Sequence, residues 1–351
     1  MRYPKFINEG DRIGFPAPSF GCNVDPYLTC FNEALKYFEN SGFKINPGPN
    51  STSGLGVGIS NTPDKCADEL MKMYVSAEND ALISCGGGEL MCEILEHMDF
   101  DALKKAEPKW FMGYSDNTNF IFPLVTLCDT AGIYGRCADA FGLGEVHRAV
   151  LDGFDIMRGK LNKVHSYDMY QLESLRSEED PRAPYNLTEV SLKTVYDGKV
   201  LYPAGEFKGE LSFSGRLLGG CTDCLVNLIG TEFEDVRGFS ERYASDGIIW
   251  CLESCDLNVF EIRRAMWHFE NAGWFKKGLI KGFMIGRPGN GAEVLNLDHI
   301  NAVLPYIEKY DCPAVIDCDL GHLPPAMPMV FGSIGHITVS GNDVELEMEF
   351  A

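Results

Sequence analysis

Lys109-Trp110-Phe111-Met112-Gly113-Tyr114-Ser115-Asp116-Asn117-Thr118 joins a short apolar run to a helical pattern carried by Phe120, Leu124 and Leu127. The run stops at Gly113, so Ser115 falls on a tight strand-to-helix turn. Such a turn pushes a hydroxyl out of a sheet and aims the first helical amides at whatever it attacks. The spelling differs from the Gly-X-Ser-X-Gly of α/β-hydrolases, because Asn117 stands where their second glycine would be. By itself the turn reads more readily as an N-cap, with Ser115 or Asp116 satisfying the first amides.

Outward from this turn, strand and helix patterns alternate through the first 150 residues. Arg12-Ile13-Gly14-Phe15 leads to a helix opened by Asp25-Pro26, with Leu28, Phe31, Leu35 and Phe38 at helical spacing. Phe43-Lys44-Ile45 is a strand, Thr62-Pro63 opens a helix, and Ala81-Leu82-Ile83-Ser84-Cys85 is a buried strand. Leu90 to Met98 and Asp116 to Cys128 read as helices, and Gly132-Ile133-Tyr134-Gly135 closes the series. Repeated β-α units require right-handed crossovers and a parallel sheet covered on both faces. The fold class is therefore α/β: an N-terminal doubly wound (flavodoxin/Rossmann-like) domain at 1–150, whose ligands collect at the carboxyl ends of the strands. Residues 151–205 read as a charged, exposed connector, with a helix near Asp155 and a hairpin in the 190s. Residues 206–351 resume with strands at Glu210–Phe213, Gly247–Leu252, Gly282–Ile285, Ala314–Asp317, His336–Val339 and Val344–Phe350, a second, strand-rich α/β domain.

Composition narrows the partners. With 51 acidic against 30 basic residues the formal charge is −21, which argues against nucleic acid and anionic membranes. Thirteen scattered cysteines in apolar contexts read as reduced core thiols. No apolar run approaches the roughly 20 residues of a membrane span, and Met1–Glu9 lacks the apolar core of a signal peptide, so a cytoplasmic protein is expected.

Two distant segments bear on Ser115. Gly247-Ile248-Ile249-Trp250-Cys251-Leu252-Glu253 reads as a buried strand ending in a carboxylate, which burial obliges to find a partner: Arg263, Arg264, a loop amide or a histidine. Cys318-Asp319-Leu320-Gly321-His322-Leu323-Pro324-Pro325 sets a histidine in a loop, where it suits a general base better than the other six histidines. The Gly86-Gly87-Gly88 run follows a strand and reads as a tight turn or phosphate loop, without the spacing of a dinucleotide fingerprint. Cys221-X-X-Cys224 reads as half of a zinc site or a redox pair; its second half is missing, since Cys251-X-X-X-Cys255 is spaced differently.

These motifs, with Gly10-Asp11-Arg12-Ile13, Ala17-Pro18-Ser19, Leu218-Gly219-Gly220 and Ile229-Gly230-Thr231, occur in an order that resembles the serine LD-carboxypeptidase family, which includes microcin C immunity peptidases. The resemblance implies a Ser115-Glu253-His322 triad, with an oxyanion hole formed by the amides of Asp116 and Gly87 or a neighbouring glycine. It implies no metal or organic cofactor. Its substrate would be a small peptide, an L,D-linked muropeptide that loses its C-terminal D-amino acid, or alternatively an aminoacyl-nucleotide. Cys221 stands where relatives usually carry asparagine, and Gly135-Arg136 replaces a common Gly-Pro, which bears on substrate preference. Gly88 and Arg136 are the candidate substrate contacts, Arg136 for a terminal carboxylate with pairing to Glu145 or Asp139 as its alternative. A homodimer is expected, and a non-catalytic binding protein of doubly wound type is the competing class.

Overall fold

The strands Ala81–Ile83, Trp110–Gly113 and Gly132–Tyr134 of the first half are wholly buried because both faces of their sheet are covered. The computed structural model describes residues 1–351 and divides into two compact units, Met1–Leu161 with Glu173–Asn186, and Asn162–Leu172 with Leu187–Ala351. In the first unit β1 (Arg12–Phe15), β2 (Lys44–Pro47), β3 (Ala81–Ile83), β4 (Trp110–Gly113) and β5 (Gly132–Tyr134) pair in parallel in the order β2-β1-β3-β4-β5. Helices α1 (Tyr27–Asn40), α2 (Pro63–Val75), α3 (Phe100–Lys105) and α4 (Thr118–Thr126) make the crossovers, and α5 (Arg148–Met157) follows. The order reverses between β1 and β3, the switch point at which doubly wound sheets open a crevice. Ser19, the Gly86–Gly88 run, Ser115 and Arg136 all follow the carboxyl ends of strands.

Two expected helices are shorter. Met91–His97 is a 3₁₀ run that ends just ahead of the Asp99 cap of α3. Ser115–Asn117 is likewise a 3₁₀ turn ahead of α4, every residue of which is buried.

The second unit is built on a nine-stranded sheet whose middle four strands are parallel. Its order is Leu201–Tyr202, Thr194–Tyr196, Ala314–Cys318, Ile280–Gly286, Ile248–Glu253, Glu210–Cys221, Ile334–Ser340, Asp343–Glu349 and Lys163–His165. The Glu210–Cys221 strand runs eight residues beyond its expected end at Phe213 and changes partner along its length. Glu210 to Arg216 pairs antiparallel with Ile334–Ser340, and Arg216 to Cys221 pairs parallel with Ile248–Glu253, so Cys221 stands opposite Glu253.

The stretch 151–205 is shared between the units. α5 and the Thr194–Tyr196/Leu201–Tyr202 hairpin occupy it, and Lys163–His165 extends the large sheet. Its charged part is anchored: Arg176 pairs with Asp139 at 2.9 Å and stacks on Tyr27, while Nε of Arg182 donates to the Gly142 carbonyl. Charges that read as solvated are thus spent on holding Glu173–Asn186 to the first unit.

Candidate active site

In the first unit the turn after β4 is forced by sterics. A Cβ at Gly113 would lie 2.8 Å from the Asn117 side chain, so only glycine lets the chain fold back there. Nδ2 of Asn117 donates to the carbonyls of Tyr114 and Gly86, stapling the turn to the glycine run. Ser115 adopts φ +62°, a left-handed conformation that costs a non-glycine residue about 1–2 kcal/mol. Its amide donates to the Tyr134 hydroxyl at 3.1 Å, and its side chain is half-buried. Gly87 lies directly against it, since a Cβ there would sit 3.3 Å from the Ser115 Cβ and 3.6 Å from its hydroxyl oxygen.

Asp116 is buried and acts as a clasp that sequence alone did not reveal. Its carboxylate accepts from the Ser19 hydroxyl, the Met91 amide and Nδ2 of Asn119. The loop after β1 and the start of the segment after β3 are thereby tied to the residue that follows Ser115. Gly88 abuts Ser19, where a Cβ would meet the serine oxygen, so the run packs too closely for side chains. Arg136 lies over the Tyr114 ring at 4.4 Å, beside the turn. Asp139, one of its alternative partners, is engaged by Arg176 instead.

In the second unit Glu253 ends a strand whose six residues are all buried, and it is itself 1% exposed. Its Oε2 lies 2.8 Å from Nδ1 of His322. The arginines open to it in sequence are occupied elsewhere, Arg263 with the Asn301 carbonyl and Arg264 near Glu261. A buried carboxylate is tolerable only with such a partner, and the pairing leaves Nε2 as the ring nitrogen aimed away from it. The loop before His322 is pinned by Asp319, which is fully buried. It pairs with Lys193 at 2.8 Å and with Arg287, and accepts from the Ser191 hydroxyl and the Tyr167 amide. Asp223 braces the chain after Glu253 by accepting from the amides of Cys255, Asp256 and Leu257. Neither brace was predicted; an aspartate at the start of the helix after Gly219-Gly220 was the available signal for Asp223.

Gly321 has φ +106°, and a Cβ there would fall 2.6 Å from Oε2 of Glu253. Gly321→Ala is therefore expected to shift the Glu253–His322 pair. Misplacement of catalytic groups by about 1 Å costs roughly 10²-fold, so if the pair takes part in catalysis kcat should fall by about that factor while KM changes little. Steady-state kinetics check this, and an unchanged kcat would show that the loop position is immaterial.

Cys221 lies beside the pair. The nearby Cys224 thiol, burial and the Glu253 charge together push its own thiol well above the usual range. The structure thus brings Ser115, Asp116, Gly87, Gly88 and Arg136 together in the first unit, and Glu253 with His322 in the second.

Comparison with known proteins agrees with this architecture. Residues 13–135 match the LD-carboxypeptidase N-terminal domain, and residues 214–337 match the LD-carboxypeptidase C-terminal domain. A Streptomyces coelicolor protein provisionally named a carboxypeptidase is 23% identical over 270 residues, 77% of this chain and 72% of its own. Among solved structures, an MccF-like protein from Bacillus anthracis superposes with TM-score 0.77 at 17% identity, over 99% of this chain and 100% of its own. The microcin C7 self immunity protein MccF, solved with aspartyl sulfamoyl adenosine, gives TM-score 0.78 at 19% identity over 99% of this chain and 98% of that one. An MccF-like protein from Streptococcus pneumoniae in complex with AMP gives 0.75 at 19% identity, over 97% and 99%. At these identities the solved structures establish the fold. With both domains matched in sequence, the chain belongs to the LD-carboxypeptidase family of serine peptidases.

Proposed function

We propose that the protein is a serine carboxypeptidase in which Ser115 works with the His322–Glu253 pair to release a C-terminal D-amino acid from L,D-linked muropeptides. The observation that carries the reading is Ser115 held at φ +62° against Gly87 at the carboxyl edge of a parallel sheet, a strained nucleophile turn. In this reading the Ser115 hydroxyl oxygen attacks the scissile carbonyl and His322 takes its proton. The negative oxygen is met by the amides of Asp116 and of Gly87 or its neighbour. The intermediate collapses to an acyl-serine, and His322 returns the proton to the departing amine. Water, deprotonated by His322, then frees the acid and Ser115. Glu253 holds the imidazole and stabilises its charged form. Cytoplasmic muropeptide recycling and a homodimeric state belong to the same proposal; no helix is long and apolar enough to cross a membrane.

A carboxypeptidase must recognise a free carboxylate, and the stacking of Arg136 on Tyr114, the residue before Ser115, supports Arg136 as that cation. Arg136→Ala is expected to raise KM for a free-acid tetrapeptide at least tenfold more than for its C-terminal amide, about 1.4 kcal/mol. Equal effects on both would remove Arg136 from that role. The second reading, cleavage of an aminoacyl-nucleotide, is favoured by the aminoacyl sulfamoyl nucleoside bound in the similar MccF structure. Assayed side by side, release of D-alanine from the tetrapeptide supports the first reading. Cleavage of an aminoacyl sulfamoyl adenylate alone supports the second.

A further inference from the structure

Cys221-X-X-Cys224 lacks a second half in the sequence, yet the fold supplies one. Cys221 ends its strand directly opposite Glu253 in parallel register, and His322 is hydrogen-bonded to that same carboxylate. The Cys221 sulfur, a Glu253 oxygen and a His322 ring nitrogen all lie within 4.8 Å of one another. The Cys224 thiol stands within hydrogen-bonding reach of Cys221, so a second sulfur backs the group. Ligands on one tetrahedral zinc, at bond lengths of about 2.0–2.3 Å, are roughly 3.3–3.6 Å apart. Side-chain adjustments of about 1 Å would gather these atoms around an ion. A sulfur, an imidazole and one carboxylate select a borderline-soft cation, whereas Mg²⁺ and Ca²⁺ take all-oxygen sets.

We propose that Cys221, Glu253 and His322 form an inhibitory Zn²⁺ site. The ion displaces the Cys221 thiol proton to solvent and takes the place of the proton between His322 Nδ1 and Glu253, which passes to Nε2 as the ring changes tautomer, so one hydrogen bond gives way to two metal bonds. The imidazole is then unable to accept a proton in the orientation hydrolysis needs, so metal occupancy and turnover exclude each other. This goes beyond the peptidase reading, and metal binding can be measured without any substrate.

Isothermal titration of Zn²⁺ into the metal-free full-length protein is expected to show one ion per chain. Cys221→Ser and His322→Ala should each weaken binding by at least the roughly 10–100-fold that even outer partners of metal ligands are worth. Co²⁺ should give a thiolate charge-transfer band that Cys221→Ser lacks, and Mg²⁺ should not compete. Zn²⁺ should abolish hydrolysis by the wild-type protein, and a chelator should restore it. Absence of uptake by the wild type, unaltered uptake in both variants, or hydrolysis raised by Zn²⁺ would each overturn the proposal. If buried Cys221→Ser does not fold, the wild-type Co²⁺ spectrum and the half-buried His322→Ala variant decide it.

Discussion

Ser115→Ala is expected to lower kcat by on the order of 10⁴–10⁶ while leaving the melting temperature unchanged. The nucleophile is the one member of the proposed machinery whose loss leaves only binding and the oxyanion donors to act. Folding should be indifferent, because the Ser115 side chain is half-buried at a turn and its amide bond to the Tyr134 hydroxyl survives truncation. A companion variant separates chemistry from strain. The left-handed φ of +62° costs serine or alanine about 1–2 kcal/mol, and glycine pays almost none of it. Glycine loses roughly 0.5–1 kcal/mol through its more flexible unfolded chain. Ser115→Gly should therefore be as inactive as Ser115→Ala yet more stable by about 0.5–1 kcal/mol, raising Tm by roughly 1–4 °C. Calorimetry and steady-state assays check both. If Ser115→Ala kept more than about one-hundredth of wild-type kcat, the nucleophile would lie elsewhere and the non-catalytic binding class would regain weight.

The doubly wound half was legible because its signals are local. Alternating apolar runs and helical stripes need no knowledge of distant residues, and the strand ends that follow from them are where Ser115, Gly87 and Arg136 lie. Burial physics said only that a carboxylate closing an apolar strand must find a partner; that the partner is His322 was what the family resemblance implied. What stayed hidden depends on tertiary context. The Glu173–Arg182 run has the composition of a solvated segment, and only the positions of Asp139, Tyr27 and Gly142 show that its arginines are anchors. Lys193, just ahead of the hairpin in the 190s, is fully buried against Asp319, 126 residues away, a pairing no local pattern announces. The turn was read from Gly113, but the left-handed φ at Ser115 was not, because a serine stands where glycine or asparagine usually announces a positive φ. The four-residue Glu210–Phe213 expectation failed for a related reason. Gly215 and the Gly219-Gly220 pair weaken a strand taken alone, yet pairing on both sides carries it through to Cys221.

Glu253→Gln is expected to reduce kcat by about 10²–10⁴ with KM near its wild-type value. Glutamine has the same shape, so the crowded setting between Gly286 and Gly321 should hold it in place. Its carbonyl oxygen can still accept from Nδ1 of His322, but the negative charge that stabilises the imidazolium formed during attack is gone. If the amide turns the other way, two donors face each other and the ring is driven from its orientation, which gives the upper end of the range. The double variant Glu253→Gln/His322→Ala separates a positioning role from independent contributions. Residues that act as one unit are non-additive, so the double variant should be no slower than His322→Ala alone. Losses that multiply would mean that Glu253 contributes by some route other than His322. A kcat within threefold of wild type for Glu253→Gln would reduce the 2.8 Å contact to a structural one. It would leave His322 to be oriented by the Asp319-braced loop alone. That outcome is disfavoured by burial: at 1% exposure the Glu253 carboxylate needs hydrogen-bond donors, and Nδ1 of His322 at 2.8 Å is a contact that an imidazolium formed in turnover would strengthen.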